Sequence, residues 1–218
     1  MKNILLSALL ITLLSCKSRF NIVDRPIDFN DQRKDLTLEY LSDRYGLEQD
    51  SPKITPRMIV LHWTDIPTLE QSFKAFEGAT LPNSREGISS AGALNVSSQF
   101  IIDRDGTVYR LMPEDVMARH VIGLNHAAIG VENIGSEKMP LTKSQLKANV
   151  ELIRYLAKKY PIEYLIGHYE YTNFVGHPLW LEKDDSYRTV KVDPGEDFMN
   201  AVRKRTKDLN FKPNPPNK

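Results

Sequence analysis

The chain contains one cysteine, Cys16, so it can form no disulfide within itself. It also lacks a charge excess. The 29 Lys and Arg face 28 Asp and Glu, a net charge of +1, which argues against the basic footprint of a nucleic-acid-binding protein, and no acidic run marks a disordered tail. No apolar stretch reaches the roughly 20 residues of a membrane-spanning helix. A glycine-rich phosphate loop, a dinucleotide fingerprint and an HExxH helix are all missing, which removes nucleotide-using and ordinary zincin readings. No internal repeat and no low-complexity segment is present. At 218 residues the chain suits one domain with extensions, or at most two small ones, large enough to bury a core without disulfides or a structural metal.

What is present begins with the N-terminus, MKNILLSALLITLLSC. Lys2 supplies a short positive region and Ile4 to Leu14 an apolar run, the pattern of a secretory signal. Leu13, Leu14 and Ser15 before Cys16 resemble the bacterial lipoprotein signal, in which the cysteine becomes the lipidated first residue. The resemblance implies a signal peptide over residues 1–15, lipidation at Cys16 and a membrane anchor. Lys17 then favours the outer membrane, facing the periplasm or the surface. Residues 16–56 carry turn formers (Pro26, Asn30, Asp31, Pro52, Pro56) and read as a tether and an N-terminal arm, with a short helix over Leu36 to Tyr45.

The remaining pattern predicts an α/β fold. Arg57 to His62 is a buried strand, Thr68 to Phe76 a helix and residues 77–92 a loop. Asp105-Gly106 between two apolar runs predicts a hairpin, and Ala128 to Glu132 another strand. Thr142 to Tyr160 is the clearest helix, with Thr142 and Gln145 forming a capping box and Pro161 ending it. Tyr164 to His168 is a strand, residues 169–190 are irregular, and a last helix runs from Gly195 to about Leu209. A hairpin among alternating strands and helices argues for a single mixed sheet flanked by helices. The main domain is placed at 57–209 and a frayed tail at 210–218.

His62 and His168 both close strands, and Asp193 lies just before the last helix. Side chains at strand ends reach a crevice while their backbone stays rigid. Two imidazoles and a carboxylate suit Zn²⁺ in the three-ligand arrangement that keeps a position open for water. By residue type alone, a purely structural role for the same histidines is the commoner case.

Six ordered blocks add to this: Ile59-Val60-Leu61-His62-Trp63-Thr64; Asn95 through Tyr109 with Asp103-Arg104-Asp105-Gly106; Ala118-Arg119-His120; Asn125 through Glu132; Gly167-His168; and Lys191-Val192-Asp193-Pro194-Gly195. Together they resemble the zinc-dependent N-acetylmuramoyl-L-alanine amidases. That family includes a phage lysozyme and the bacterial AmpD and AmiD enzymes, and peptidoglycan recognition proteins share its fold. The resemblance implies His62, His168 and Asp193 as zinc ligands, Glu132 as the catalytic carboxylate and Lys191 as its cationic partner. The implied substrate is peptidoglycan or a muropeptide. His120 and His126 read as residues of the cleft or of the layer behind the ligands, and His120, His126 and Trp180 are the candidate substrate contacts. Gln99 and Arg119 depart from the family, which often has His and Trp there. Lys191 follows His168 by 23 residues, a longer separation than in AmpD-like members. The extra segment, with His177 and Trp180, is expected to wall the cleft and tune specificity. Two further readings stand beside the amidase: a non-catalytic peptidoglycan-binding module, and a structural envelope lipoprotein with a retired site.

The lipoprotein reading is tested by Cys16→Ser, which should release the protein from membranes and abolish labelling by a fatty-acid probe. Undiminished labelling of the variant would contradict it.

Overall fold

The computed structural model describes residues 20–82 and 90–216. The signal read over residues 1–15, the lipidation site Cys16 and part of the 77–92 loop lie outside them. Six strands form one mixed sheet: β1 (Ile22–Asp24), β2 (Met58–Leu61), β3 (Phe100–Ile102), β4 (Val108–Arg110), β5 (Ala128–Asn133) and β6 (Tyr164–Gly167). Their spatial order is β1-β4-β3-β5-β2-β6. β3, β5, β2 and β6 are mutually parallel, β4 turns back antiparallel to β3, and β1 joins β4 in parallel.

Among the described residues, helices α1 (Asp31–Tyr45), α2 (Leu69–Glu77), α3 (Lys143–Lys159) and α4 (Glu196–Arg205) cover the sheet. The two-residue period of a strand divides the core between them. Met58 and Val60 of β2, with Ala128 and Ile166, pack under Tyr40, Leu41 and Tyr45 of α1. Ile59 and Leu61, with Ile129, Val131 and Leu165, pack against Leu152, Ile153 and Leu156 of α3 and Met199 and Val202 of α4. The central strands are therefore buried on both faces, which explains why they read as continuous apolar runs rather than alternating ones. Among the described residues no helix is long and apolar enough to cross a membrane.

The arm is more structured than the sequence pattern suggested. Its helix starts five residues earlier than Leu36, because Asn30 caps it by accepting from the Arg33 N–H, and β1 precedes it. Arg33 is almost fully buried, and its guanidinium donates to the carbonyls of Phe76, Glu77 and Gly78. It thereby satisfies acceptors at the C-terminus of α2, which no intrahelical donor reaches, and joins the arm to the domain.

The helix α3 forms with the expected capping box. Gln145 also extends into the sheet, donating to the carbonyls of Ile102 and Ile134. Gln145→Ala removes the half of the capping box in which Gln145 accepts from the Thr142 N–H and takes one of two donors from each of the Ile102 and Ile134 carbonyls, and should lower unfolding free energy by roughly 1–2 kcal/mol. Urea denaturation measures this, and a loss below about 0.5 kcal/mol would contradict these roles.

Candidate metal centre

Register builds the site. Leu61 of β2 is paired with Val131 of β5 and Gly167 of β6. The next residues, His62, Glu132 and His168, therefore form one row across three adjacent parallel strands. All three lie in phase with Val60, Gly130 and Ile166 and so project to the α1 face. Asp193 arrives from the loop before α4 and is tied to this row by the Tyr169 N–H donating to its carbonyl at 3.1 Å. Gly195 follows with φ of 87°, a left-handed conformation that glycine tolerates without strain, and here it turns the chain directly into α4.

The row closes on a tight triangle. His62 Nδ1 lies 3.0 Å from His168 Nδ1, and each is 3.1 Å from Asp193 Oδ2. All three residues are buried. If both Nδ1 atoms present lone pairs, the two and the carboxylate repel this closely unless positive charge lies between them. The donor set fits zinc: bond lengths of about 2.0–2.1 Å in a tetrahedron separate neighbouring ligand atoms by about 3.3 Å, close to the spacing observed. Burial and His62 hold the His168 pKa down, to about 4, so the ring stays a neutral ligand near pH 7. Burial pushes the Asp193 carboxyl up, but His168 and His62 outweigh it and keep its pKa well below the usual carboxylate range.

A cleft of about 340 Å³ opens over the triangle. Its lining brings together His62, His168, Asp193, Glu132, Lys191 and His120. His120 is half-buried against His62, with ring centroids 5.1 Å apart. Two other expected substrate contacts lie elsewhere. His126 sits in a short 3-10 turn, Asn125–Ala127, that carries its ring against Tyr45 and into a separate cavity with Leu41, Ile54 and Leu179. Trp180 stacks on Tyr171 and covers Gly123, where an added Cβ would come within 2.7 Å of the indole, so it packs rather than facing the cleft. His177 bonds Tyr164 Oη at 3.3 Å and is no part of the triangle.

Tyr187, Thr189 and Val190 of the 169–190 segment do line the cleft. Val190 and Val192 are 96% and 60% exposed, two apolar side chains flanking Lys191 at the rim. Sequence reasoning did not single them out, although the Val-Lys-Val alternation was the available signal. The two departures from the family are buried and structural. Gln99 accepts from the Gly130 N–H at 2.7 Å and donates to Val116 O. Arg119 donates to the carbonyls of Gly92 and Leu94.

A family model described as N-acetylmuramoyl-L-alanine amidase matches residues 52–196. No curated protein matches the chain. Among solved structures it is similar to the N-acetylmuramoyl-L-alanine amidase LysC from Clostridium intestinale URNW, with 23% identity and a TM-score of 0.52 over 88% of this chain and 99% of that one. It is also similar to an AmpD derivative, with 21% identity and a TM-score of 0.52 over 84% and 93% of the two chains. Bumblebee PGRP-SA gives 18% identity and a TM-score of 0.50 over 89% and 99%. At these identities the likeness establishes a common fold, the single mixed sheet flanked by helices.

The triangle predicts one zinc per chain, and His168→Ala should lose it because two ligands hold the ion poorly against water and chelators. Elemental analysis finding stoichiometric zinc in that variant would contradict the ligand assignment.

Proposed function

The chain belongs to the N-acetylmuramoyl-L-alanine amidase family, whose model spans more than half of it, and from that membership we propose that it hydrolyses the amide between the lactyl group of N-acetylmuramic acid and the L-alanine of the stem peptide, held at a membrane by a lipid on Cys16. At family level it is a zinc amidase-type hydrolase of peptidoglycan. The observation that carries the enzyme reading is the complete buried triangle of His62, His168 and Asp193 beside Glu132 and Lys191 in one cleft.

When bound, zinc supplies Lewis acidity, which acidifies a water and polarises a carbonyl. The chain's own residues manage protons and charge. Amide hydrolysis adds the oxygen of water to the carbonyl carbon and breaks the C–N bond. The amine leaves readily only if its nitrogen is protonated as that bond breaks. Glu132, fixed at the end of β5 in the row of the ligands, takes the proton from the water on its carboxylate and delivers it to the departing nitrogen. Lys191, at the cleft rim, places its ammonium near the negative charge that grows on the carbonyl oxygen. Val190 and Val192 beside it offer apolar contact to the substrate's methyl-bearing lactyl and alanyl groups. The apolar signal ending at Cys16 is what supports the anchoring part of the proposal.

Glu132→Gln keeps size and hydrogen bonding but removes the base. It should lower the rate on a defined muramoyl-peptide by about 10²- to 10⁴-fold, with zinc content and substrate binding intact. Retention of more than about half the wild-type rate would remove Glu132 from the proton path. Lys191→Ala should cost a comparable factor through lost charge stabilisation.

A further inference from the structure

We propose that His120 is a positioning residue for the metal centre: it accepts the Nε2–H of His62 and so fixes the tautomer that leaves His62 Nδ1 free to ligate. The inference rests on the zinc reading of the triangle.

The hydrogen-bond chain has one end of known polarity. His120 Nε2 lies 3.4 Å from the carbonyl oxygen of Ala128, and His120 Nδ1 lies 3.1 Å from His62 Nε2. A carbonyl only accepts, so His120 Nε2 carries the hydrogen. In a neutral imidazole the other nitrogen is then an acceptor. His62 Nε2 must therefore be the donor across the 3.1 Å contact, and the lone pair of His62 falls on Nδ1. That is the atom 3.0 Å from His168 Nδ1 and 3.1 Å from Asp193 Oδ2. Both nitrogens of His120 are thus occupied within the protein. Of the two expectations from sequence, a place behind the ligands agrees with this geometry, and a substrate contact has no ring nitrogen left to use.

The surroundings are shaped to keep the ring there. Gly130 of β5 faces it, and a Cβ at that position would come within 2.8 Å of His120 Cγ and Cδ2. The glycine is required for close approach rather than for a turn. Gln99 holds the Gly130 N–H. The His120 and Val121 N–H groups both donate to Asn125 Oδ1, at 2.9 and 2.8 Å, and Asn125 Nδ2 donates to Tyr45 Oη of α1 at 2.9 Å. The ring is therefore set from the sheet on one side and from the arm helix on the other. Outer partners of metal-bound histidines orient the ring and fix its tautomer, and their loss typically costs 10–100-fold in affinity or activity.

The test compares three substitutions by zinc affinity, using chelator competition. His120→Phe keeps the ring and removes both nitrogens. His120→Gln places an amide near the Nε2 position but leaves no acceptor near Nδ1. His120→Asn returns an acceptor near Nδ1. Phe and Gln should weaken zinc binding about 10- to 100-fold, and Asn should recover most of the loss. In ¹⁵N-resolved NMR of the zinc-loaded wild type, His62 should show a protonated, slowly exchanging Nε2–H, and this signal should lose its protection in the Gln variant. Wild-type affinity in Phe or Gln, or an Asn variant no better than Gln, would overturn the role of His120 while leaving the triangle standing. A wild-type chain that takes up no zinc would instead overturn the metal reading itself. If Phe does not fold, the Gln and Asn pair decides the question alone.

Discussion

Three electron-pair donors crowded to about 3 Å in a buried place form an arrangement that a chain does not adopt cheaply. Nitrogen from His62, nitrogen from His168 and oxygen from Asp193 come from positions far apart in sequence, yet they converge. Hydrogen bonding alone cannot satisfy all three contacts when both rings are neutral: with one inward hydrogen a nitrogen–oxygen contact is left without a donor, and with two the nitrogen–nitrogen contact sets hydrogen against hydrogen. A cation removes the conflict, and much of the fold can be understood as the frame that holds the conflict in place until it arrives.

The frame grips His62 from both faces of the sheet. On the α3 side, Asn149 donates to Asn133 Oδ1 at 2.7 Å, and Asn133 donates from Nδ2 to the His62 carbonyl at 3.0 Å. On the α1 side, Tyr45 receives a bond from Asn125, which receives the backbone of His120, whose ring meets that of His62. The arm over residues 20–51 lies outside the stretch matched by the family model, yet its helix supplies core residues and one end of this second chain. Arg33 adds a further tie through the α2 carbonyls. In a layered fold of this kind the precision of a site comes from elements that never touch the substrate.

Much of the site was legible in sequence because strand ends are marked by a change of residue type. RMIVLH and YLIGH each run apolar and then stop on a histidine, and AIGVE stops on a carboxylate. The period of two places those last residues on one face, and only their mutual register required the structure. Side chains whose role depends on a distant partner were less legible. His126 and Trp180 carry polar or aromatic groups near the right blocks, but a 3-10 turn sends one away from the cleft, and packing over Gly123 claims the other. His120 was singled out for its residue type, whereas its partners follow from the absent Cβ of Gly130, which no spacing rule reveals. The arm helix was read too short because its capping residue, Asn30, lies in a polar stretch without apolar periodicity.

The central claim is that this site cleaves one particular amide. Purified peptidoglycan digested with the zinc-loaded chain, followed by end-group analysis, tests it most directly. New free amino termini of L-alanine should appear in step with solubilised stem peptide, with no new reducing sugar ends, and chelation should stop the release until zinc is added back. Binding to peptidoglycan without new L-alanine amino termini, or the appearance of reducing ends in their place, would contradict it.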